Sequence, residues 1–172
     1  MQKNMFQIEK ISKCQRIIEH PLYRQELEKI EKCEADRIFC NHSFNHFMDV
    51  ARIAYILNLE RNFSLSRNII YAAALLHDIG RAKQYIEGIP HEEAGAEISK
   101  VILTDCGYSE DEISVIVDAI SNHRGSNHID STSNALIDIL YTADKASRQC
   151  FNCKAQNECN WSLEKRNLEV YL

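Results

Sequence analysis

Glycine and proline are scarce in this sequence, which has five Gly and two Pro among its 172 residues. An all-β fold needs many tight turns, and these two residue types form a large share of them, so the scarcity argues against that class. The chain also lacks any run of the ~20 apolar residues that a membrane span requires, and its mean hydropathy is −0.36. We therefore expect a helical protein without a membrane-spanning segment.

Positive charge is in deficit as well. Twenty Lys and Arg residues stand against 25 Asp and Glu residues, which gives a formal net charge of −5 at pH 7. This balance argues against a stable complex with nucleic acid or a membrane surface, although a local pocket for one phosphate group is compatible with it. Residues 1–10 carry charges and lack the apolar stretch of a signal peptide, so we expect a cytoplasmic protein.

The seven cysteines cannot all pair within one chain, and in a reducing compartment they are expected to be thiols or metal ligands. Cys150, Cys153 and Cys159 form a Cys-x2-Cys-x5-Cys pattern that could bind a structural metal or an iron–sulfur centre. The alternative is that these thiols stay reduced and pack the tail, with Trp161 as a core anchor. Candidates for a fourth ligand in the sequence are Cys14, Cys33, Cys40 and His20.

Apolar residues recur at helical spacing almost throughout, and the length suits one domain. We predict an all-α bundle of about six to eight helices. Ser109 and Glu112 have the spacing of a capping box and predict a helix start, and Gly80 is expected to end a helix as a left-handed residue. The predicted organisation is a helical domain over residues 1–149, with residues 150–172 as a cysteine-containing tail packed on the same domain.

Several histidines and aspartates occupy positions that are costly without a partner. His77 and Asp78 end a buried apolar helix, and Asp144 lies among apolar neighbours, so each carboxylate would be expensive to desolvate alone. His42 and His46 are four residues apart and share a face if their helix extends that far. A bound divalent cation would compensate the carboxylates and accept the imidazole lone pairs.

At these residues the sequence resembles the HD-domain superfamily of metal-dependent phosphohydrolases, over about positions 42–148. The resemblance implies an HD-type helical bundle. It is carried by the segments His46-Phe-Met-Asp-Val-Ala51, Ala74-Leu-Leu-His-Asp-Ile-Gly-Arg81, His91-Glu-Glu-Ala-Gly-Ala-Glu-Ile98, Ala119-Ile-Ser-Asn-His-Arg124 and Thr142-Ala-Asp-Lys145.

The resemblance implies a set of ligands for one or two metal ions. The ligands of the first ion would be His46, His77, Asp78 and Asp144. A second ion would be held by His91 and His123, with Asp78 bridging the pair. His42 corresponds to a position at which some members place a further ligand, and the alternative is a contact to a ligand or to the substrate.

The expected cofactor is therefore one or two divalent transition-metal ions. A donor set of His and Asp without thiolate suits iron, our preferred ion, and also manganese, nickel, cobalt or zinc. The resemblance implies hydrolysis of a phosphoester or phosphoanhydride, which we expect in a small nucleotide, through a metal-bound hydroxide. Asp78 and Arg81 would be the catalytic residues, with Arg81 and Arg124 contacting the substrate phosphate. Phosphatase members often carry Lys where this chain has Arg81.

Two other functions use the same residues. A minority of the superfamily uses the same six ligands as a di-iron oxygenase, which would act on a small organic substrate. A catalytically silent, metal-stabilised regulatory module is the third interpretation. The sequence does not specify the substrate or the oligomeric state.

Overall fold

A computed structural model of the chain describes residues 12–124 and 132–170, with the backbone alone for residues 132–134. These residues contain eight α-helices, two 3-10 turns and no strand, which confirms the predicted all-α class. No described helix is both long enough and apolar enough to span a membrane. The helices are α1 (Lys13–Glu19), α2 (Pro21–Cys33), α3 (Phe44–Glu60), α4 (Arg67–Leu76), α5 (Arg81–Glu87), α6 (His91–Asp105), α7 (Glu110–Asn122) and α8 (Thr132–Ala146).

Local signals in the sequence account for several helix starts. Pro21 occupies the first turn of α2, where its missing N–H has no helical partner to lose. The Ser109 side chain accepts from the Glu112 backbone N–H and the Glu112 side chain accepts in return, so the predicted capping box is present at α7. Ser43 caps α3. Because α3 begins at Phe44, His42 precedes the helix and does not share a helical face with His46.

Helix α4 lies at the centre of the bundle. Its apolar residues from Ala72 to Leu76 are fully buried, and α3, α7 and α8 pack around it. Three consecutive alanines, Ala72–Ala74, keep the helix narrow and allow its neighbours to approach closely. The C-terminal end of α4 therefore lies close to the ends of the surrounding helices. The turn that follows this end carries His77 and Asp78.

Gly80 has a different role from the expected one. It does not end a helix in a left-handed conformation, since α4 ends at Leu76 and Gly80 has a φ of −79°. Its missing side chain matters for packing, because a Cβ on Gly80 would lie 2.2 Å from the carbonyl oxygen of His91 and 2.5 Å from the backbone nitrogen of Gly95. The turn after α4 thus lies against the start of α6, which brings Asp78 close to His91.

The tail contacts the end of α8. Asn167 Nδ2 donates to the carbonyl oxygens of Lys145, Ala146 and Arg148, at 2.9, 3.3 and 2.9 Å. Trp161 is not the expected core anchor, because it is 42% exposed and its ring faces the Arg148 guanidinium at 4.0 Å. Cation–π contact with Arg148 therefore takes the place of burial for this side chain.

Candidate metal centre

The fold brings the six candidate ligands from the sequence together as two overlapping groups. The donor atoms of each group lie within 4.8 Å of one another, and Asp78 belongs to both groups. The first group comes from α3, the turn after α4, and α8, and consists of His46, His77, Asp78 and Asp144. The second group consists of Asp78, His91 and His123.

Asp78 is the buried centre of the arrangement. Its Oδ2 lies 3.2 Å from His77 Nε2, in the first group. Its Oδ1 lies 3.0 Å from His91 Nε2 and 3.8 Å from His123 Nε2, in the second group. Each carboxylate oxygen therefore faces a different group, which is the orientation that a carboxylate bridging two cations requires.

Two imidazole nitrogens in the first group have no hydrogen-bond partner in the described part of the chain. These buried atoms are Nε2 of His46 and Nε2 of His77. They lie 3.6 and 3.9 Å from Asp144 Oδ1. A buried polar atom without a partner is costly, and an imidazole lone pair is a common metal ligand. The residues present therefore fit a divalent transition-metal ion.

Backbone carbonyl groups fix the ring orientations. His77 Nδ1 donates to the Ala74 carbonyl oxygen at 2.8 Å, and His123 Nδ1 donates to the Ile120 carbonyl oxygen at 2.6 Å. Because a carbonyl oxygen can only accept, the Nδ1 atoms carry the protons and, in the neutral rings, Nε2 keeps a lone pair that faces Asp78. Such contacts to the second ring nitrogen are the usual way in which proteins orient histidine ligands.

The protonation states of Asp78, Asp144 and His46 suit cation binding. Although burial opposes ionisation, the charge of His77 and the neighbouring imidazoles hold the pKa of Asp78 well below its usual range. Burial likewise opposes ionisation of Asp144, but His77 and Lys145 lower its pKa to about 2. Burial and the charge of His77 lower the pKa of His46 to about 4. Near neutral pH the two carboxylates are thus ionised and His46 is neutral, as ligands must be. His77 differs, because burial lowers its pKa but Asp78 and Asp144 outweigh burial and raise it, so a bound cation must displace a proton from this ring.

His42 lies beside the two groups and is held by residues that the sequence did not single out. Its Nε2 is 3.5 Å from Asp78 Oδ2, and its Nδ1 is 2.5 Å from Glu34 Oε1. Glu34 also accepts from the His42 backbone N–H at 2.7 Å and from the Tyr85 hydroxyl at 2.6 Å. Glu34 directly follows α2 and has no regular spacing from the candidate histidine ligands, so no sequence signal could identify it.

The two candidate phosphate contacts differ in their surroundings. Arg81 is anchored, because its Nε donates to Asp78 Oδ1 at 2.9 Å and its Nη1 donates to Gln84 Oε1 at 3.1 Å. Arg124 is more exposed, with Nη1 3.7 Å from Glu92 Oε2. Both side chains line a cavity that lies beside the two His/Asp groups.

A cavity of about 530 Å³ opens beside the two groups, and His46, His123 and Asp144 form part of its wall. Its lining has a strong excess of positive charge, although the chain is acidic as a whole. Among the described residues of the lining, the carboxylates are Asp49 and Asp144. The cationic side chains are Arg37, Arg81, Arg124, Lys145, Arg148, Lys165 and Arg166. Such a concentration of cations favours an anionic ligand.

The three tail cysteines that were candidate metal ligands also line this cavity. Cys150, Cys153 and Cys159 are free thiols, each partly exposed. Cys40, which precedes α3, lines the same cavity. These thiols are not part of the two compact His/Asp groups.

Known proteins match the part of the sequence that carries this site. The family model of the HD domain matches residues 43–151. An uncharacterized protein of Clostridium beijerinckii is 46% identical over 145 residues, which cover 84% of this chain and 89% of that protein. Ribonuclease Y of Enterococcus faecalis is 33% identical over 127 residues, which cover 73% of this chain but 22% of that protein. No solved structure shows significant similarity to the chain.

The match to the family model spans more than half of the chain and includes every residue of the two His/Asp groups. Members of this family are mostly metal-dependent phosphohydrolases, and the buried donor set is of the kind that binds a divalent ion. On the evidence of its sequence segments, its helical bundle and this donor set, the chain belongs to the HD-domain family.

Proposed function

We propose that this protein is a metal-dependent phosphohydrolase that acts on a small phosphorylated molecule, a nucleotide or a related phosphoester or phosphoanhydride. One observation carries the proposal: two His/Asp groups that share Asp78 adjoin a cavity in which cations outnumber carboxylates among the described lining residues. The donor groups suit metal ions, and the cations suit the charge of a phosphorylated substrate.

The ligands would be the six residues of the two groups, with Asp78 common to both ions and iron as the preferred metal. When bound, divalent ions activate water as a nucleophile and neutralise charge on phosphoryl oxygens. The protein's own contribution is to hold the donors in place. The hydrogen bonds from His77 and His123 to backbone carbonyl groups orient both rings before the reaction, so no free energy is needed to reorient them during it.

Arg81 is the best placed residue for a phosphoryl group bound at the metal ligands. Its contacts to Asp78 and Gln84 hold the guanidinium at the boundary between the ligands and the cavity. A guanidinium can contact two phosphoryl oxygens at once, so an Arg can replace the Lys of other family members in binding, though with different geometry. Arg124 would contribute from the cavity rim.

The size and lining of the cavity support a nucleotide over a smaller anion. Its volume of about 530 Å³ lies in the range of ordinary small-molecule sites. Phe39 lines it and offers an aromatic ring on which a base could stack, whereas the Trp161 ring already faces Arg148. The di-iron oxygenase alternative shares the ligand set, but a neutral organic substrate would gain nothing from the cationic lining.

The test is hydrolysis by metal-loaded protein of a panel of nucleoside mono-, di- and triphosphates, cyclic nucleotides and a short oligoribonucleotide. The oligoribonucleotide is included because one relative is named a ribonuclease. We expect product formation that falls about 100-fold or more in His77→Ala. The matched control is His20→Ala, which removes a histidine paired with Asp105 outside the site.

Two results would contradict this function. Equal turnover by His77→Ala and by the unmodified protein would exclude the proposed ligands. Oxygen consumption with an organic substrate, lost on replacement of iron by zinc and accompanied by no hydrolysis of the panel, would favour the oxygenase instead.

A further inference from the structure

Four cysteines from distant parts of the sequence meet at the cavity. Cys40 lies in the segment before α3, while Cys150, Cys153 and Cys159 follow α8, and all four line the cavity wall. The pKa of the Cys40 thiol is raised by burial and also by the proximity of Cys150 and Cys153. All four are free thiols.

We propose that Cys40, Cys150, Cys153 and Cys159 together bind a second metal centre, distinct from the His/Asp groups: a thiolate-ligated iron–sulfur cluster or zinc ion. Four thiolates are the complete ligand set for either centre. The fold supplies the fourth ligand, Cys40, that the Cys-x2-Cys-x5-Cys pattern of the tail lacks.

The other candidates for the fourth position lie elsewhere. Cys14 Sγ contacts Tyr108 and the Asn68 carbonyl oxygen at 3.7 Å in each case. His20 Nε2 lies 3.2 Å from Asp105 Oδ2. Cys33 and Cys40 are both exposed, but Cys33 lies in α2 and does not line the cavity. Among the candidates that the sequence offered, Cys40 is therefore the one that the fold brings to the tail.

The described part of the tail buries few apolar side chains. Among the hydrophobic residues described in 150–170, Ala155 is buried, whereas Phe151, Trp161 and Leu163 are 41%, 42% and 67% exposed. The tail has only short 3-10 turns as regular structure. Segments with so little apolar burial are commonly stabilised by a metal or disulfides, and these cysteines form no disulfide.

Hydrogen bonds already shape the tail around the cysteine positions. Arg166 donates to the carbonyl oxygens of Gln156, Cys159 and Trp161, at 2.9, 2.5 and 2.7 Å. Gln156 Nε2 in turn donates to the Cys150 carbonyl oxygen at 2.9 Å. These bonds connect residues between 150 and 166, and they use backbone carbonyl groups of the cysteines rather than their thiols.

Positive charges at the same wall would balance the thiolates. Arg37 Nε donates to the Cys40 carbonyl oxygen at 2.8 Å, and Arg148 lowers the pKa of the Cys40 thiol against the larger effect of burial. Arg148 and Arg166 line the cavity together with the cysteines. Nearby cations stabilise thiolates, which are the form of cysteine that binds metal.

The described thiols do not form a preformed tetrahedral zinc site, whereas a cluster tolerates a wider spacing of its ligands. With Zn–S bonds of about 2.3 Å, tetrahedral geometry places the sulfurs about 3.8 Å apart. No three of the four described thiol sulfurs lie within 4.8 Å of one another. In a polynuclear cluster each thiolate binds at the outside of the cluster, so its ligand sulfurs stand further apart.

The test measures metal and acid-labile sulfide in anaerobically purified full-length protein. His77→Ala serves as the background, because iron at the His/Asp groups would otherwise add to the count. We expect either iron and sulfide in equal amounts with a visible charge-transfer absorption, or one zinc per chain. Serine substitution at any of the four cysteines should lower this content several-fold, whereas Cys33→Ser, an exposed cysteine outside the cavity, should leave it unchanged.

A second measurement keeps the test valid if the serine variants fail to fold. In the unmodified protein, X-ray absorption should show sulfur ligands, and release of the metal should make four further thiols reactive, in addition to those that react before release; Cys106 is buried and is not among them. Zinc in place of a cluster would support the four-thiolate site and reject the cluster. The proposal is overturned if the protein holds neither centre and cannot be reconstituted, or if Cys40→Ser keeps the same metal content as Cys33→Ser. Because these readouts need no substrate, they are independent of the hydrolase proposal.

Discussion

Asp78 is the residue that the two His/Asp groups share. One oxygen faces His77 and the other faces His91, and Arg81 donates to the same carboxylate. Burying an ionised carboxylate is favourable only with such compensation. The residue is therefore expected to govern the binding of both ions rather than of one.

Asp78→Asn tests this expectation. The amide keeps the shape of the side chain but removes the negative charge and one anionic ligand atom from each group. Because both groups share this ligand, we expect the amount of bound metal to fall by at least about half. Elemental analysis of loaded and desalted protein gives the ratio of metal to chain. Asp49→Asn is the matched control, because Asp49 lines the cavity but belongs to neither group. Undiminished metal in Asp78→Asn would show that Asp78 does not bridge.

Glu34 gives a pH-dependent prediction in metal-free protein. Burial opposes its ionisation, but hydrogen bonds from His42 and Tyr85 outweigh burial and lower its pKa from 4.5 to about 2. A carboxylate with a depressed folded-state pKa stabilises the fold above its unfolded pKa, and this contribution is lost as the pH falls through the folded pKa. Glu34→Gln should therefore cost roughly 1–3 kcal/mol at pH 7, and less as the pH falls from about 4.5 towards 2.

Urea unfolding in the presence of a chelator, at pH 7 and at pH 3, measures this difference. Glu28→Gln serves as the control, because Glu28 is exposed in the same helix and forms an ion pair with Lys32. A cost for Glu34→Gln that stays constant across the pH range would show that the charge of Glu34 is not what stabilises the fold.

At the level of elements, the contact between the turn after α4 and α6 positions Asp78 against His91. Gly80 and Gly95 meet there, but they differ in the space available. A Cβ on Gly80 would lie 2.2 Å from a backbone oxygen, whereas a Cβ on Gly95 would find its nearest atoms at 3.5 Å. The two glycines thus allow one contact to be tested from both sides.

Gly80→Ala should destabilise the protein by about 1–3 kcal/mol or more, because backbone atoms must move to admit the methyl group. Gly95→Ala should be neutral or stabilising by up to about 1 kcal/mol, since Ala is the better helix former and the contact is of ordinary length. Thermal or urea unfolding of both variants gives the comparison. Equal effects of the two substitutions would contradict the close approach at Gly80.

The sequence predicts those helix starts that local residue types mark. It does not predict the roles of residues whose contacts come from distant parts of the chain. Pro21 and the pair Ser109 and Glu112 mark the starts of α2 and α7 by local chemistry alone. The packing role of Gly80 depends on contacts with His91 and Gly95, which lie more than ten residues further along the chain. The sequence could therefore identify a glycine as special without giving the reason.

The candidate site shows the same division. The segments that resemble the HD-domain superfamily identified the six residues of the two His/Asp groups. The sequence did not reveal Glu34, Tyr85 or the cationic cavity. These residues and the cations of the lining come from separate segments of the chain with no common spacing. The fourth cysteine could not be chosen either, since four residues were equally open until the fold placed Cys40 at the tail.

For the whole molecule, the two groups draw residues from α3, α6, α8, the turn after α4 and the end of α7. Ions bound there would cross-link most of the bundle, so binding energy becomes folding energy. The thiolate centre proposed for the tail would contribute separately. The two contributions can be separated by choice of metal, because Mn²⁺ prefers oxygen and nitrogen ligands to thiolates.

Metal-free protein titrated with Mn²⁺ should therefore report on the His/Asp groups alone. An ion present at about 100 times its dissociation constant adds about 2.7 kcal/mol, which corresponds to a rise in Tm of about 5–10 °C for a chain of this length. His77→Ala should lose most of this rise because it removes a ligand, whereas Cys153→Ser should keep it because its thiol belongs to neither group. Equal rises in the unmodified protein and in His77→Ala would mean that Mn²⁺ stabilises the fold from some other place, and the cross-linking role of the two groups would then be wrong.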